Sequence, residues 1–216
     1  LNDISGRYSL NELLIVPLLQ SLHRFAPMNP APSALPQTNA YAMQYGTLLG
    51  LWGIVSLVVL GASLSVPLLS SLSTLLFLGS PVCAGWLTVR FRREVSTAEE
   101  GFTFGRAFLF NFVQSIYASL LIALFVFVYL QWLDGGYIWS AYERMFAIPE
   151  NKLLLEQSGL LDQTGGSVAH FIEALQRIPA AQYAGMVIYM TLLSSPLFSA
   201  LIALITKRRP RLTTGR

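Results

Sequence analysis

Four long apolar segments contain no Asp, Glu, Lys or Arg, and they constrain the fold of this chain more than any other feature of its sequence. They are Met43–Leu64, Leu68–Val89, Ala107–Leu130 and Tyr183–Thr206. A helix needs about 20 predominantly apolar residues to cross the hydrocarbon core of a bilayer, and each segment reaches that length. The sequence therefore predicts an all-α membrane protein with four antiparallel transmembrane helices, numbered as spans one to four.

The low charge content agrees with a membrane location. Charged residues make up 12% of the 216 residues, about half of the roughly 25% typical of soluble domains. The net charge of +3 does not indicate nucleic-acid binding, because the basic residues lie at the ends of spans rather than on one soluble face. The composition therefore predicts the lipid bilayer as a partner and no nucleic acid.

The sequence divides into three parts. Residues 1–40 are expected to be a disordered or non-native leader, 41–210 the four-span membrane domain, and 211–216 a basic cytoplasmic tail. The Pro-rich stretch that follows Met28 is typical of a disordered start, so we expect the natural chain to begin at Met28. The alternative is that residues 1–27 form a genuine amphipathic helix on the membrane surface.

Basic residues flank the spans unevenly, which predicts the orientation. They concentrate between spans two and three and after span four, whereas the long loop 134–182 is rich in acidic residues. Because cytoplasmic loops carry an excess of Lys and Arg, both termini are expected in the cytoplasm and this loop outside. Within the loop, "IPENKLLLEQSG" and "SVAHFIEALQRI" predict short amphipathic helices, the second with Ser167 as its N-cap and a Glu173–Arg177 pair.

Small and polar residues mark the faces expected to pack between helices. Small residues let helix backbones approach closely in a membrane. Span one carries a glycine stripe, span four repeats a small residue at every fourth position, and span three has the most polar stripe. The predicted packing residues are Gly46, Gly50, Gly53, Asn111, Gln114, Ser115, Ser195 and Ser199, with Ser119 extending the polar stripe. For that stripe, hydrogen bonding between helices is the favoured interpretation and a polar cavity or substrate site is the alternative.

The stretch "EEGFTFGRAFLFNF" predicts where the third helix begins. Thr103 is the expected N-cap and Phe104 the first helical residue, so Phe104, Phe108 and Phe112 stack along one face. Upstream, Ser96 and Glu99 have the spacing of a helix-capping box.

Arginines near the predicted cytoplasmic surface are candidates for contact with lipid headgroups. They are Arg106, in the first turn of the third helix, and Arg90, Arg92 and Arg93, after span two. A long arginine stem lies along the helix while its guanidinium reaches the headgroups. A simple orientation anchor is the favoured role, and a two-pronged grip on a lipid phosphate is the alternative.

No residue pattern indicates catalysis, a cofactor or a metal. His23 and His170 lie far apart and lack acidic or thiol neighbours at ligand spacing. "GFTFG" lacks the lysine of a phosphate-binding loop, and the single cysteine, Cys83, allows no disulfide within the chain. We therefore expect no catalytic, cofactor-binding or metal-binding residues, and no enzyme activity.

"YGTLLGL" in span one, the Arg-rich loop and "GFTFGRAF" before span three carry a family resemblance. Over about Tyr41–Pro210 the chain resembles the bacterial integral membrane family catalogued as domain of unknown function 4199, and "FGRAF" is the most specific part. The resemblance implies an uncharacterised, multi-pass protein of the bacterial inner membrane. It supplies no catalytic residues. Members of the family are often encoded near enzymes that attach sugars to polyprenyl phosphates, so the resemblance suggests the same neighbourhood for this chain.

Three functions are compatible with these features. The favoured one is a non-catalytic accessory or scaffold subunit for a membrane or envelope-assembly enzyme, which requires a membrane-protein partner. The alternative is a component of a lipid or small-solute transporter that forms its pathway as a homo-oligomer. An enzyme acting on lipid-linked sugars through the outer loop has the least support.

Overall fold

The computed structural model describes residues 34–96, 101–161 and 166–208, and this part of the chain is built of helices. Contacts divide the chain after Pro36, and the unit discussed here begins at Gln37. The α-helices are α1 (Ala34–Ser63), α2 (Leu69–Val95), α3 (Phe104–Val128), α4 (Tyr137–Phe146), α5 (Pro149–Gln157), α6 (Val168–Gln176) and α7 (Ala180–Thr206). A π-helical segment, Tyr129–Leu133, continues α3.

Four of these helices are long and apolar enough to cross a membrane. They cover Leu35–Ser63, Leu69–Val95, Phe104–Leu133 and Ala180–Thr206, and they correspond to the four predicted spans. The prediction of a helical membrane protein with four spans is therefore confirmed. Each helix continues past the apolar segment seen in the sequence at one end or both, so the helices are longer than their apolar stretches.

The first helix corrects the predicted leader. Residues 34–40 were assigned to a disordered segment, but they form the first turns of α1. Pro36 is tolerated there because the first turn of a helix needs no backbone donors. Gln37 accepts a hydrogen bond from Arg106 at 2.9 Å, and Asn39 accepts one from the Tyr117 hydroxyl at 3.1 Å. The predictions about residues 1–33, Met28 included, and about the tail 211–216 lie outside the described residues.

The long helices pack as antiparallel neighbours. α3 and α7 contact each other extensively, and α2 contacts both. α1 and α2 form a hairpin, across which the Trp52 indole donates a hydrogen bond to the Leu76 carbonyl at 3.0 Å. The antiparallel arrangement brings the end of α2, the start of α3 and the end of α7 together, and we call this region the basic end.

A buried aromatic cluster occupies the interior next to the basic end. The rings of Phe91 and Phe110 stack with their centroids 4.1 Å apart and only 9° between their planes. Phe102 meets Phe91 edge-on at 5.8 Å. All three side chains are fully buried, so this cluster fixes α2, α3 and the segment before α3 relative to one another.

The loop between the third and fourth spans contains the two predicted helices. α5 begins with Pro149, and Gly159 follows it in the left-handed region at φ +72°. The Ser167 hydroxyl accepts a hydrogen bond from the backbone N–H of His170 at 3.2 Å, which confirms it as the N-cap of α6. The predicted pair of Arg177 and Glu173 is also confirmed, at 2.7 Å.

A third helix in this loop, α4, was missed by the sequence analysis. A local signal for it was present in Asp134 and the two glycines that follow. The two carboxylate oxygens of Asp134 accept hydrogen bonds from the backbone of Gly136 at 3.1 Å and Ile138 at 3.0 Å. The Tyr137 hydroxyl then donates a hydrogen bond to Ser65 at 2.8 Å, which ties α4 to the α1–α2 loop.

The orientation of the bundle can be tested by cysteine labelling. In a Cys83→Ser background, we expect Gln157→Cys to react with a membrane-impermeant thiol reagent in intact cells. Lys207→Cys should react only after lysis, because the basic end is predicted to face the cytoplasm. Both positions are exposed. Labelling of position 207 but not 157 in intact cells would reverse the predicted topology.

Candidate functional site

Residues of all four spans line a cavity that opens between the helices, and we call it the polar cavity because hydroxyl and amide side chains stand among its apolar walls. Its volume is about 280 Å³, large enough for several water molecules. The polar residues that line it are Ser80, Asn111, Ser115, Ser119, Thr191, Ser194, Ser195 and Ser199. The polar stripe of span three therefore faces the small-residue stripe of span four, and the lining of this cavity contains no charged side chain.

Asn111 connects α3 to α2 beside this cavity. Its side-chain oxygen accepts a hydrogen bond from the Thr88 hydroxyl at 2.9 Å, and its side-chain nitrogen donates one to the Ala107 carbonyl at 3.0 Å. The first of these is the hydrogen bond between helices that the sequence analysis favoured. Thr88 was not singled out in the sequence, because a threonine in an apolar span carries no signal of which helix it faces.

Two serines of α7 line the cavity and have hydroxyl groups that can form hydrogen bonds with a guest. The hydroxyls of Ser195 and Ser199 are buried and have no hydrogen-bond partner in the described parts of the chain. By contrast, the hydroxyls of Ser115 and Ser119 donate to carbonyls of their own helix at 2.9 and 2.8 Å. A buried hydroxyl without a partner costs free energy, so this side of the cavity is suited to a neutral polar guest.

Gln114 behaves differently from its neighbours on the polar stripe. Its side chain is fully buried, yet within the residues that the structure describes neither its amide oxygen nor its amide nitrogen has a hydrogen-bond partner. This corrects the expectation that Gln114 bonds to another helix. The backbone carbonyl of Gln114 lies against Gly46 of α1, and this close contact between the helices fixes where the side chain lies.

The difference between Asn111 and Gln114 predicts opposite results for matched substitutions. Asn111→Leu should lower the free energy of unfolding in detergent by about 0.6 kcal/mol, the average for hydrogen bonds between membrane helices, and by at most about 1.7 kcal/mol. Gln114→Leu should leave it unchanged or raise it, since it removes a buried amide without partners. Chemical denaturation of the two purified variants checks this, and an equal loss in both would contradict it.

The glycine stripe of α1 is confirmed as a helix-packing surface. A Cβ atom at Gly46 would lie 2.6 Å from the Tyr117 Cβ, and one at Gly50 would lie 3.0 Å from a Leu121 methyl carbon. At Gly53 a Cβ would collide with the Ile122 side chain. Glycine at these positions lets α1 approach α3 closely, so the stripe is structural.

The predicted start of the third helix is confirmed. The Thr103 hydroxyl accepts a hydrogen bond from the backbone N–H of Arg106 at 3.3 Å, and Phe104 is the first helical residue. The rings of Phe104, Phe108 and Phe112 stack in sequence with centroids 6.1 Å apart.

The structure corrects the expected position of Arg106. Its guanidinium lies 5.8 Å from the centre of the Phe91 ring and donates a hydrogen bond to Gln37 at 2.9 Å. The side chain is half-buried against α1 and α2. Arg106 therefore links three helices inside the bundle, and this geometry does not direct it towards lipid headgroups. Its aromatic partner favours this inward position through a cation–π contact.

Arg90 is also occupied by its neighbours. It forms an ion pair with Glu94 at 3.2 Å and lies over the rings of Tyr45 and Trp86, at 5.9 Å from each. The Tyr45 hydroxyl donates a second hydrogen bond to the same carboxylate at 2.8 Å. This cluster joins α1 to the end of α2.

Arg92 and Arg93 line a pocket at the basic end. Its volume is about 360 Å³, and its other lining residues are Ser96, Gly101, Phe102 and Arg208. The two basic segments seen in the sequence therefore meet in space. Ser96 follows the last residue of α2 in an extended conformation, and the capping box predicted with Glu99 involves residues outside the described part of the chain.

The expectation of no metal-binding residues bears on the His, Cys, Asp and Glu side chains of the described part of the chain. Within residues 34–96, 101–161 and 166–208, no three His, Cys, Asp or Glu side chains come together as a metal site. Asp134 is the one buried carboxylate in those ranges, and both its oxygens cap α4.

A family model described as a protein of unknown function (DUF4199) matches residues 44–208 of the chain. The match includes the residues that line the polar cavity and those that line the pocket at the basic end. It confirms the resemblance carried by "YGTLLGL" and "GFTFGRAF". No curated protein and no solved structure matches the chain.

Proposed function

Because the chain belongs to the DUF4199 family of proteins of unknown function, we propose its role from the geometry of its own residues: a non-catalytic accessory or scaffold subunit of a membrane or envelope-assembly enzyme. We place this subunit in the bacterial inner membrane with both termini in the cytoplasm. The proposal requires a stable partner within the same membrane.

The carrying observation is the neutral interior of the bundle. Proton transfer and ion coupling need ionisable groups that are held inside the protein. Serine, threonine and asparagine line the polar cavity together with apolar residues. Among the described residues, the buried carboxylate of Asp134 is committed to capping α4. Such an interior supports a bundle that holds its own helices together and acts through association.

Isolation of the native complex tests the proposal. The protein is extracted from its own membranes in mild detergent, and the stoichiometry of the purified complex is measured. We expect a stoichiometric membrane enzyme whose activity falls when this chain is deleted and returns when it is restored. A chain that purifies alone or only with copies of itself, and whose deletion changes no membrane enzyme, would contradict the accessory role.

The polar cavity favours a second candidate, a component of a small-solute transporter. Ser195 and Ser199 line this cavity, and their hydroxyls, which have no hydrogen-bond partner among the described residues, could hold a neutral polar solute. In proteoliposomes, glycerol flux measured by light scattering would then exceed that of empty liposomes and fall in the Ser195→Ala/Ser199→Ala double variant. A wild-type flux equal to that of empty liposomes excludes glycerol as its solute, and an unchanged flux in the double variant excludes this route.

A further inference from the structure

We propose that the pocket at the basic end binds an anionic phosphate group, in a site formed by Arg92, Arg93 and Arg208 with the hydroxyl of Ser96. This inference is independent of the accessory role, because it rests on different residues and makes no use of a protein partner. The ligand is a phosphate monoester or diester. Its source is either a lipid headgroup at the membrane surface or a soluble phosphate compound.

The frame of the pocket is fixed by backbone contacts between distant parts of the chain. Phe102 and Arg208 exchange two backbone hydrogen bonds, each 2.8 Å long. The Arg92 guanidinium donates a hydrogen bond to the Thr206 carbonyl at the end of α7, also at 2.8 Å. Phe102 is fully buried and packs edge-on against Phe91. The three segments that carry the pocket are therefore held in place before any ligand binds.

The charge of the pocket calls for an anion. Three arginines line it, and no carboxylate in the described parts of the chain is ion-paired with any of them. The described ion pairs involve other residues, and in the last turns of α2 Glu94 is paired with Arg90. Three like charges at one site repel one another unless a negative group lies between them.

The donors in the pocket match phosphate in particular. Guanidinium groups bind phosphate through paired N–H···O contacts. A carboxylate can make the same paired contacts, whereas an anion of a single atom cannot. The Ser96 hydroxyl is buried at the same place without a hydrogen-bond partner among the described residues, and it can donate to a phosphate oxygen. Gly101, at φ +69°, lets the chain turn beside Ser96 where another residue would be strained.

The location decides which ligands can reach this site. The pocket lies at the ends of two of the long apolar helices, which finish at Val95 and Thr206, so it lies where a helix leaves the lipid. A headgroup of the adjacent leaflet and a soluble phosphate compound both have access there.

The test compares two double variants that remove the same charge. Arg93→Gln/Arg208→Gln removes two arginines of the pocket, and Arg144→Gln/Arg177→Gln removes two from the opposite loop. Neither pocket side chain takes part in an ion pair with the described residues, and the contact of Arg208 with Phe102 uses only backbone atoms. We therefore expect the pocket variant to keep the melting temperature of the unmodified protein.

Binding is measured by native mass spectrometry of the full chain in detergent, with titrated phosphatidic acid as the probe. The pocket variant should bind phosphatidic acid at least about tenfold more weakly than the unmodified protein, as expected for the loss of charge-assisted hydrogen bonds. The loop variant should bind as the unmodified protein does. Equal binding by all three proteins, or equal losses in both variants, would overturn the proposal.

Additional probes identify the source of the phosphate and exclude simpler explanations. Glycerol 3-phosphate that competes with phosphatidic acid would show that a soluble phosphate suffices, and failure to compete would assign the site to a lipid headgroup. Oleate retained as strongly as phosphatidic acid would overturn the phosphate assignment in favour of a general positive surface. Binding that appears only after Glu99→Gln/Glu100→Gln would also overturn it, because the chain's own carboxylates would then be the occupants.

Discussion

Alanine at Gly46 is expected to lower the free energy of unfolding of the purified protein by about 3 kcal/mol, at the upper end of the usual cost of overpacking. The added methyl group would lie 2.6 Å from the Tyr117 Cβ and 2.8 Å from the Gln114 carbonyl oxygen. A Cβ atom and a backbone carbonyl cannot rotate away. The helices α1 and α3 would therefore have to separate along their contact.

Gly61 provides the matched control in the same helix. A Cβ atom there meets no atom within 4 Å, so Gly61→Ala adds the same methyl group without a clash. Alanine is the better helix former by about 1 kcal/mol, and this variant should be neutral or slightly stabilised. Denaturation of both variants in detergent checks the comparison. Equal stability of the two would show that α1 does not approach α3 closely.

Phe91→Ala is expected to cost about 3–5 kcal/mol, the usual range for removing a buried phenylalanine. The ring stacks on Phe110 at 4.1 Å, meets Phe102 at 5.8 Å and lies beneath the Arg106 guanidinium. Truncation would leave a cavity among groups that come from three separate segments. Loss of the cation–π contact adds to the loss of packing.

The control for Phe91 is Leu78→Ala, on the same helix. Leu78 is 68% exposed on the outer surface of the protein, where lipid replaces lost contacts. Its truncation should change the unfolding free energy little. A thermal unfolding series that ranks Leu78→Ala as equal to Phe91→Ala would refute the assignment of the aromatic cluster as the core.

The features that could be predicted from sequence depend on residues close together in the chain, or on the summed hydropathy of a segment. A span is a sum of apolar residues, so all four were found. The caps at Thr103 and Ser167 depend on a side chain and a backbone N–H three residues later, and both were confirmed. The glycine stripe of α1 was recognised because its period alone places small residues on one face.

The remaining features depend on which helix faces which, and a single sequence does not contain that information. Ser195 and Ser199 meet the stripe of Asn111 only because α7 packs against α3. Arg106 looked like a residue of the membrane surface, since its sequence neighbours gave no sign of Phe91 or Gln37. The pocket likewise required Arg208 to come beside Arg93, and two basic segments that are far apart in the sequence give no sign that they meet.

The pairing of Phe102 with Arg208 also has a consequence for biosynthesis. A ribosome delivers the spans to the membrane in order, so Phe102 is made long before Arg208 and Thr206. Until the fourth span has been inserted, the backbone N–H and carbonyl of Phe102 lack these partners, and Arg92 lacks its carbonyl acceptor. A chain that stalls within α7 would therefore display unpaired polar groups at this end, a feature by which quality-control proteases could distinguish it from the finished protein.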